Sequence, residues 1–172
     1  MSIELYSPKD RQVFQRETKN TGHIITEGYV SHDVEKLYIR ISEKDMYGNP
    51  INMDWLDFDI NPDRSFCENI DMYAGGWYKA EFKTDKGDYI SVDHIGIGEV
   101  IVGAGQSNST NSGAERIATI SGMVSCTDGK IWKKAEDPML GTHDMVSGAL
   151  YCDGGSFYPA LGDALFEEFH VP

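Results

Sequence analysis

The chain has 172 residues, the length of one average domain or two small ones, and its 40% apolar content is sufficient for a hydrophobic core. Its 15 basic and 28 acidic residues give a net charge of −13, which disfavours nucleic acid and anionic membranes as partners because such a surface repels phosphate groups. The first ten residues lack the basic and apolar segments of a signal peptide, and no apolar run reaches the roughly 18 residues of a transmembrane helix. These features predict a cytoplasmic protein, although a secreted protein whose signal has been removed would look the same.

Residues 1–96 are predicted to form an antiparallel β-sandwich of the immunoglobulin or fibronectin III type. Short runs of near-alternating β-branched and aromatic residues predict its strands, and clusters of Gly, Pro, Asn and Asp predict the turns between them. The predicted strands are 22–30, 36–42, 54–60, 65–70, 77–82 and 88–92. The predicted turns are 47–50, 61–63, 75–76 and 85–87. No long helical period precedes residue 100.

One spacing in this region imitates a calcium site. Asp57, Asp59, Asn61 and Glu68 match the oxygen ligands of an EF-hand loop. The loop needs a glycine at the position that Pro62 occupies, and the flanking segments predict strands rather than helices. We therefore expect a plain hairpin turn and no metal.

Four aromatic residues, Trp55, Tyr73, Trp77 and Tyr78, offer a second candidate, a sugar-stacking platform. Aromatic residues in a sandwich of short strands more often fill the core or pair across strands, so we favour the core interpretation.

The second half of the chain contains the most informative stretch, residues 98–108. The apolar run Val100 to Val102 predicts a short buried strand, which ends in the glycine-rich turn Gly103, Gly105, Gln106. Such a turn would present Ser107 at the carboxyl end of the strand, the edge where open α/β sheets bind ligands and where an activated serine nucleophile is expected. Asn108 is expected to cap or brace the turn.

Further elements follow Ser107. Residues 114–118 are consistent with the first turns of a helix, and Asp128-Gly129 predicts a hairpin between 123–126 and 130–133. A helix is expected from Pro159 to about Phe169, since Pro suits a first helical position. Its apolar face should pack on a core. That face contains Leu161, Leu165, Phe166 and Phe169.

The cysteines and histidines give little evidence for a catalytic or metal site. The three widely spaced cysteines Cys67, Cys126 and Cys152 predict mostly buried structural thiols rather than disulfides or a zinc site. His143 and Asp144 are the one His-Asp pair in the half that contains Ser107, but adjacent residues rarely orient each other as base and carboxylate. The other histidines are expected to be structural, with His170 placed favourably at a helix end.

Several blocks together resemble the sialate O-acetylesterase-like branch of the SGNH (GDSL-type) carbohydrate esterases. They are Gly96-Ile-Gly-Glu-Val100, Gly105-Gln-Ser-Asn108 and Gly155-Ser-Phe-Tyr-Pro-Ala-Leu-Gly-Asp-Ala-Leu165. Gly75-Gly-Trp-Tyr78 resembles the end of the β-sandwich that precedes the catalytic domain in many of these proteins. The similarity extends over most of residues 10–172, and its most specific part is Gly-Glu-Val, four further residues and Gly-Gln-Ser-Asn.

The resemblance implies a hydrolase that removes acetyl groups from sugar hydroxyls without a cofactor or metal. Ser107 matches the family's nucleophile, and its backbone N–H would form part of the oxyanion hole. Gly105 and Gln106 would shape the turn. Residues 97–172 would then be the amino-terminal portion of an α/β SGNH hydrolase domain that follows the sandwich.

The family's second oxyanion glycine, its oxyanion asparagine and its carboxy-terminal Asp-x-x-His pair have no counterpart among these residues. We therefore expect this chain alone to be inactive and to require the remainder of the catalytic domain, as further sequence or as another chain. The partners expected are an acetylated carbohydrate substrate and that remainder. The alternative is a glycan-binding or assembly module without catalytic activity.

Overall fold

The computed structural model describes residues 2–44, 50–106, 109–141 and 154–172. The chain divides into two compact units, Met1–Glu99 and Val100–Pro172. The first is almost entirely β-structure, and the second combines a small hairpin with one described helix.

The first unit is built from strands that alternate inward apolar and outward polar residues, as the period of a half-buried strand requires. Its described strands are β1 (Ile3–Ser7), β2 (Val13–Gln15), β3 (Thr21–Val30), β4 (Leu37–Lys44), β5 (Pro50–Asn52), β6 (Leu56–Phe58), β7 (Ser65–Tyr73), β8 (Gly75–Thr84) and β9 (Tyr89–Gly98). One sheet has the order β1-β3-β7, and the other has the order β2-β9-β8-β4-β5, with β6 also paired to β4. The pairings are antiparallel except that of β2 with β9, which is parallel.

Apolar side chains from both sheets form a shared core, which makes the first unit sandwich-like. Phe66 of β7 lies with its ring centroid 6.5 Å from Phe82 of β8 and 6.3 Å from Phe58 of β6, so the two sheets meet at this ring. The other large side chains that are fully buried are Ile3, Ile24, Val34, Leu37, Ile39, Ile41, Tyr78, Ile95 and Ile97.

The predicted strands are present with shifted ends, but the sequence interpretation missed three strands. The missed strands are β1, β2 and β5. The turn predicted at 61–63 exists, since the Arg64 amide donates to the Asn61 carbonyl at 2.8 Å, but it is not a hairpin. It connects β6 and β7, which pair with strands of different sheets. Residues 75–76 begin β8 rather than forming a separate turn, and the turn predicted at 47–50 lies mostly outside the described residues.

The second unit contains β10 (Ser125–Thr127), β11 (Trp132–Lys134) and α1 (Tyr158–Phe169). The hairpin of β10 and β11 forms around Asp128-Gly129 as predicted, with Gly129 at φ 87° and the Asp128 carboxylate accepting from the Lys130 and Ile131 amides. The helix is also confirmed, with Pro in its first turn. A small cluster of Cys126, Ala135 and Met139 forms the buried core.

Three predictions for the second unit are wrong. Residues 100–102 form no strand and are exposed, at 42% for Val100, 58% for Ile101 and 85% for Val102, because no described strand pairs with them. Residues 114–118 are not helical, and Ala118 instead forms a β-bridge with Glu136.

The prediction that the apolar face of α1 packs on a core is wrong for Leu161 and Phe169, whereas Leu165 and Phe166 are half-buried. Leu161 and Phe169 are about two-fifths exposed, and Pro159 is the one buried residue of the helix. Within the described residues, no helix combines the length and apolar character needed to cross a membrane.

A buried carboxylate on the second sheet forms an ion pair with an arginine of the neighbouring strand. Glu81 of β8 is 6% exposed and lies opposite Arg40 of β4, whose Nε and Nη2 donate to it at 2.6 and 3.1 Å. The Arg40 hydrogen bonds, against the opposing effect of burial and with help from the Tyr89 hydroxyl, lower the pKa of Glu81 to about 2. The folded state therefore favours the ionised carboxylate.

We expect Glu81→Gln to reduce stability in a pH-dependent way. The folded pKa of about 2 lies below the ordinary value of 4.5, so the pair contributes its full stability above pH 4.5 and loses it as the pH falls towards 2. Because Arg40 is partly exposed, we expect a loss of about 1–2 kcal/mol at pH 6 that shrinks by pH 3. Urea unfolding at both pH values measures it, with exposed Glu35→Gln as the control. A loss that is equal at the two pH values would contradict the assignment.

Candidate active site

The described residues on either side of the predicted nucleophile are close together. Ser107 and Asn108 lie outside the described residues, whereas Gly105 and Gln106 are described and exposed. The Ser109 amide donates to the Gln106 carbonyl at 2.8 Å. This hydrogen bond ties together the two backbone segments that flank Ser107 and Asn108.

Two glycines of this stretch have close neighbours. A Cβ on Gly103 would lie 2.2 Å from the Tyr158 hydroxyl, and a Cβ on Gly105 would lie 2.2 Å from the Ser109 Oγ. The Tyr158 hydroxyl is itself fixed, because it donates to the Ser109 carbonyl at 3.1 Å. Tyr158, at the start of α1, therefore contacts both sides of the predicted nucleophile turn.

Backbone and amide hydrogen bonds join the next segment, residues 109–113, to residues 154–155. Gly113 and Gly155 exchange two backbone hydrogen bonds of 2.8 Å, and the Gly154 amide donates to the Asn111 carbonyl at 2.9 Å. The fully buried Asn111 side chain bonds both backbone groups of Met139, donating to its carbonyl at 3.1 Å and accepting from its amide at 2.9 Å. A buried amide satisfied on both atoms fixes its loop in one position.

Asp137 fixes the residues just before α1. It is 7% exposed and accepts hydrogen bonds from the Ile117 and Ser156 amides and from the Ser156 hydroxyl. The carboxylate thus joins three chain segments that are distant in sequence. Nothing in the sequence predicts this role, because the three segments meet only in the fold.

Asp163, within α1, holds a turn in a similar way. Its carboxylate accepts from the Thr119 and Ser121 hydroxyls and from the Ile120 and Ser121 amides. Burial raises the pKa of Asp163, but the hydrogen bonds from Ser121, Thr119 and the two amides lower it by more, so that the pKa lies below its usual range. The role of Asp163 is structural, and it anchors residues 119–121 to the helix.

No described histidine of the second unit is placed as a general base. His170 is exposed at the end of α1, in the left-handed conformation, where its amide donates to the Phe166 carbonyl. His143 and Asp144 lie outside the described residues. Among the described residues, no group of three or more His, Cys, Asp or Glu side chains could hold a metal ion.

The first unit contains two His-carboxylate contacts that sequence inspection missed. His94 Nδ1 lies 2.9 Å from Asp10, and His23 lies between Glu17 and Asp71. His23 and Asp71 become neighbours through the pairing of β3 with β7, and none of these carboxylates is adjacent to its histidine in sequence, so a search for adjacent His-Asp pairs does not find them.

The four aromatic residues do not form a platform. Tyr78 is fully buried, as the core interpretation predicts, and Trp55 lies beneath Arg40 and Lys83, at 4.7 and 4.0 Å from their charged groups. Trp77 contacts Arg11 and His94 instead. Tyr73 is 58% exposed, so the core interpretation is wrong for it.

The cysteine prediction holds only in part. Cys126 is buried in the core of the second unit, but Cys67 is exposed on β7 because its position points away from the sandwich core. Cys152 lies outside the described residues.

Comparison with known proteins identifies no family. No family model matches the chain, and no curated protein is significantly similar to it.

We expect Asp163→Ala to release the turn at residues 119–121. The Ile120 and Ser121 amides donate to Asp163, so their hydrogen exchange should become about tenfold faster or more when a charged acceptor is lost. Glu167→Ala, an exposed acidic position on the same helix, should leave both amides unchanged. Equal exchange at these two amides in the two variants would contradict the anchoring role.

Proposed function

We propose that the second unit contributes the nucleophile block of a serine carbohydrate O-acetylesterase of the SGNH type, with Ser107 as the nucleophile. One observation carries the proposal. Gly103 belongs to the first part of the resemblance and Tyr158 to the block that begins at Gly155, and Tyr158 lies against Gly103 and donates to the Ser109 carbonyl. This proximity of residues that are distant in sequence supports the proposal.

The chemistry of acetyl transfer explains why such a block needs glycines. The Ser107 Oγ would attack the acetyl carbonyl while a base takes its proton, and backbone N–H groups would stabilise the resulting oxyanion. The sugar hydroxyl leaves with a proton, and water then attacks the acetyl-serine ester to release acetate. Gly105 and Gln106 would shape the turn, and a side chain at Gly105 would require the Ser109 hydroxyl to move. Asn108 would brace it.

The exposed apolar residues support a requirement for the remainder of the catalytic domain. Val100, Ile101 and Val102 are 42%, 58% and 85% exposed, although a β-branched run of this kind is typical of a buried strand in a parallel sheet. The exposed residues Leu161 and Phe169 of α1 add to the apolar surface that the described residues leave uncovered. We infer that further strands cover both, either from additional sequence or from another chain.

The general base would come from the same remainder. A serine hydroxyl is a weak nucleophile without an adjacent base, and His170 is exposed at a helix end where it caps the backbone. We infer that the base is a histidine oriented by an aspartate, and that neither residue is among those described in the second unit.

For the first unit we infer an immunoglobulin or fibronectin III type sandwich. The neighbours β1-β3-β7 and β9-β8-β4 correspond to the strand orders A-B-E and G-F-C of that fold. The alternative function, a glycan-binding module, gains no support from the four aromatic residues, because Tyr78 is fully buried and Trp55 and Trp77 are covered by different cationic side chains. The exposed apolar run is the observation that favours an assembly role.

The first test is esterase activity with and without the remainder of the domain. The 172-residue chain should hydrolyse p-nitrophenyl acetate no faster than its own Ser107→Ala variant. When a polypeptide that supplies the histidine base is present, hydrolysis and labelling by a fluorophosphonate should appear and should be lost in Ser107→Ala. Loss of the nucleophile typically costs about 10⁴-fold or more in kcat.

Exposed Ser112→Ala is the matched control and should retain full activity. Hydrolysis that persists in Ser107→Ala would exclude Ser107 as the nucleophile. Hydrolysis by the 172-residue chain alone that depends on Ser107 would instead refute the requirement for a separate base.

The second test concerns the uncovered apolar run. Val102→Ser should leave the stability of this chain within about 0.5 kcal/mol, because the side chain is 85% exposed, but should weaken association with the covering polypeptide. Ile120→Ser, at a 95% exposed position outside the run, is the control and should affect neither property. An unchanged association constant for Val102→Ser would argue against coverage of this run.

A further inference from the structure

The first unit contains a cavity of about 490 Å³. It lies where β3 begins and β7 ends. Ile51, Met53 and Tyr73 form apolar walls, and Glu17, His23 and Asp71 supply polar groups. A volume of this size is typical of small-molecule sites, as is a mainly apolar lining with a few convergent polar groups.

Strand register brings the polar groups together. In the pairing of β3 with β7, His23 lies opposite Asp71, so both side chains leave the outer face of the sheet as neighbours. Glu17, in the loop before β3, approaches His23 Nε2 to 2.9 Å. The imidazole therefore separates two carboxylates.

The contact of Asp71 with His23 has the distance of an ion pair but not the geometry of a hydrogen bond. The Asp71 Oδ1 lies 2.6 Å from His23 Nδ1, but outside the direction of hydrogen bonding, and Nδ1 is buried without a hydrogen-bond partner. The carboxylates of Asp71 and Glu17 are 88% and 62% exposed, so both remain accessible to a ligand. Among the described lining residues there is no Lys or Arg, so no fixed cation balances the two acids.

We infer that this cavity binds an ammonium group carried on a short aliphatic chain. The cation would contact the exposed carboxylates of Glu17 and Asp71 beside the His23 ring, the methylene groups would contact Ile51 and Met53, and the exposed Tyr73 ring would add a cation–π contact. The net charge of −13 raises the local concentration of cations and repels anionic ligands. A neutral ligand of the same shape would gain only the apolar contacts.

Three probes with the same six-carbon stem separate these contributions. In a titration of the full chain followed by ¹H–¹⁵N spectra, n-hexylammonium should bind about fivefold or more tightly than 1-hexanol, and hexanoate should bind more weakly than either. The amides of residues 21–23 and 71–73 should shift. The preference for the cation should fall in 0.5 M NaCl, because the carboxylates are exposed.

Amide variants test the two carboxylates without changing their shape. Asp71→Asn and Glu17→Gln should each weaken n-hexylammonium binding about two- to fivefold at low salt, the range of exposed ion pairs. Glu27→Gln, an exposed acid on β3 that does not line the cavity, should have no effect. Tyr73→Leu should also weaken binding and should leave binding of 1-hexanol less affected.

Equal affinity for 1-hexanol and n-hexylammonium, no detectable binding of the cation, or an equal loss in Glu27→Gln and Asp71→Asn would overturn the inference. A comparison of n-hexylammonium with Nα-acetyl-lysine amide identifies the source of the group. Tighter binding of the lysine derivative indicates a peptide side chain, and tighter binding of the simple amine indicates a free alkylamine. The inference does not depend on Ser107, since its readout is binding in the first unit.

Discussion

The first unit depends on the contact of its two sheets at Phe66. This ring belongs to the three-stranded sheet β1-β3-β7. It packs against Phe58 and Phe82 of the other sheet, and its residue is 1% exposed. Removal of such a ring typically costs about 3–5 kcal/mol, a large part of the stability of a small domain. The contact also fixes which residues face outward, because the side-chain period in a strand is two. The positions of His23 and Asp71 outside the core therefore follow from the same packing that buries Ile24 and Ile70.

The second unit is stabilised differently. Its buried cluster contains only small or flexible side chains, Cys126, Ala135 and Met139, which together bury far less apolar surface than the core of the first unit. Buried or half-buried polar side chains instead connect its segments, namely Asn111, Asp137 and Asp163. Hydrogen bonds of this kind contribute about 1 kcal/mol each, so they specify geometry more than they supply stability. A unit built in this way, with Val100 to Val102 exposed, has much to gain from an additional packed layer.

The sequence predicted the elements whose pattern is local. Alternation located β3, β4, β7, β8 and β9, the Asp-Gly pair located the hairpin of β10 and β11, and proline located the start of α1. It failed at residues 100–102, because an apolar run predicts burial but cannot reveal whether a partner strand is present among the residues described. It also failed at β2, a three-residue strand whose parallel pairing with β9 joins segments some 80 residues apart.

The same distinction between local and long-range features applies to the candidate sites. Gly105 could be identified from sequence because its role is local: the neighbour nearest to an added Cβ is Ser109, four residues away. The contact of Tyr158 with Ser109 could not, since it depends on how α1 meets the nucleophile block. The cavity at His23 could not be inferred from sequence either, because His23 and Asp71 become neighbours only through one register of β3 and β7.

A shift of β7 by one residue along β3 would turn Asp71 towards the core and would expose Ile70, while His23 kept its outward position. The apolar core thus excludes the registers in which the polar groups are separated or buried without solvent. The geometry of the acidic cavity is therefore fixed by the core and not by interactions among its own polar groups. Its carboxylates can remain exposed to solvent. The nucleophile block has no comparable support, since its glycine contacts fix a turn while the apolar residues that precede it remain uncovered. For this reason we assign independent binding to the first unit and a dependence on further structure to the second.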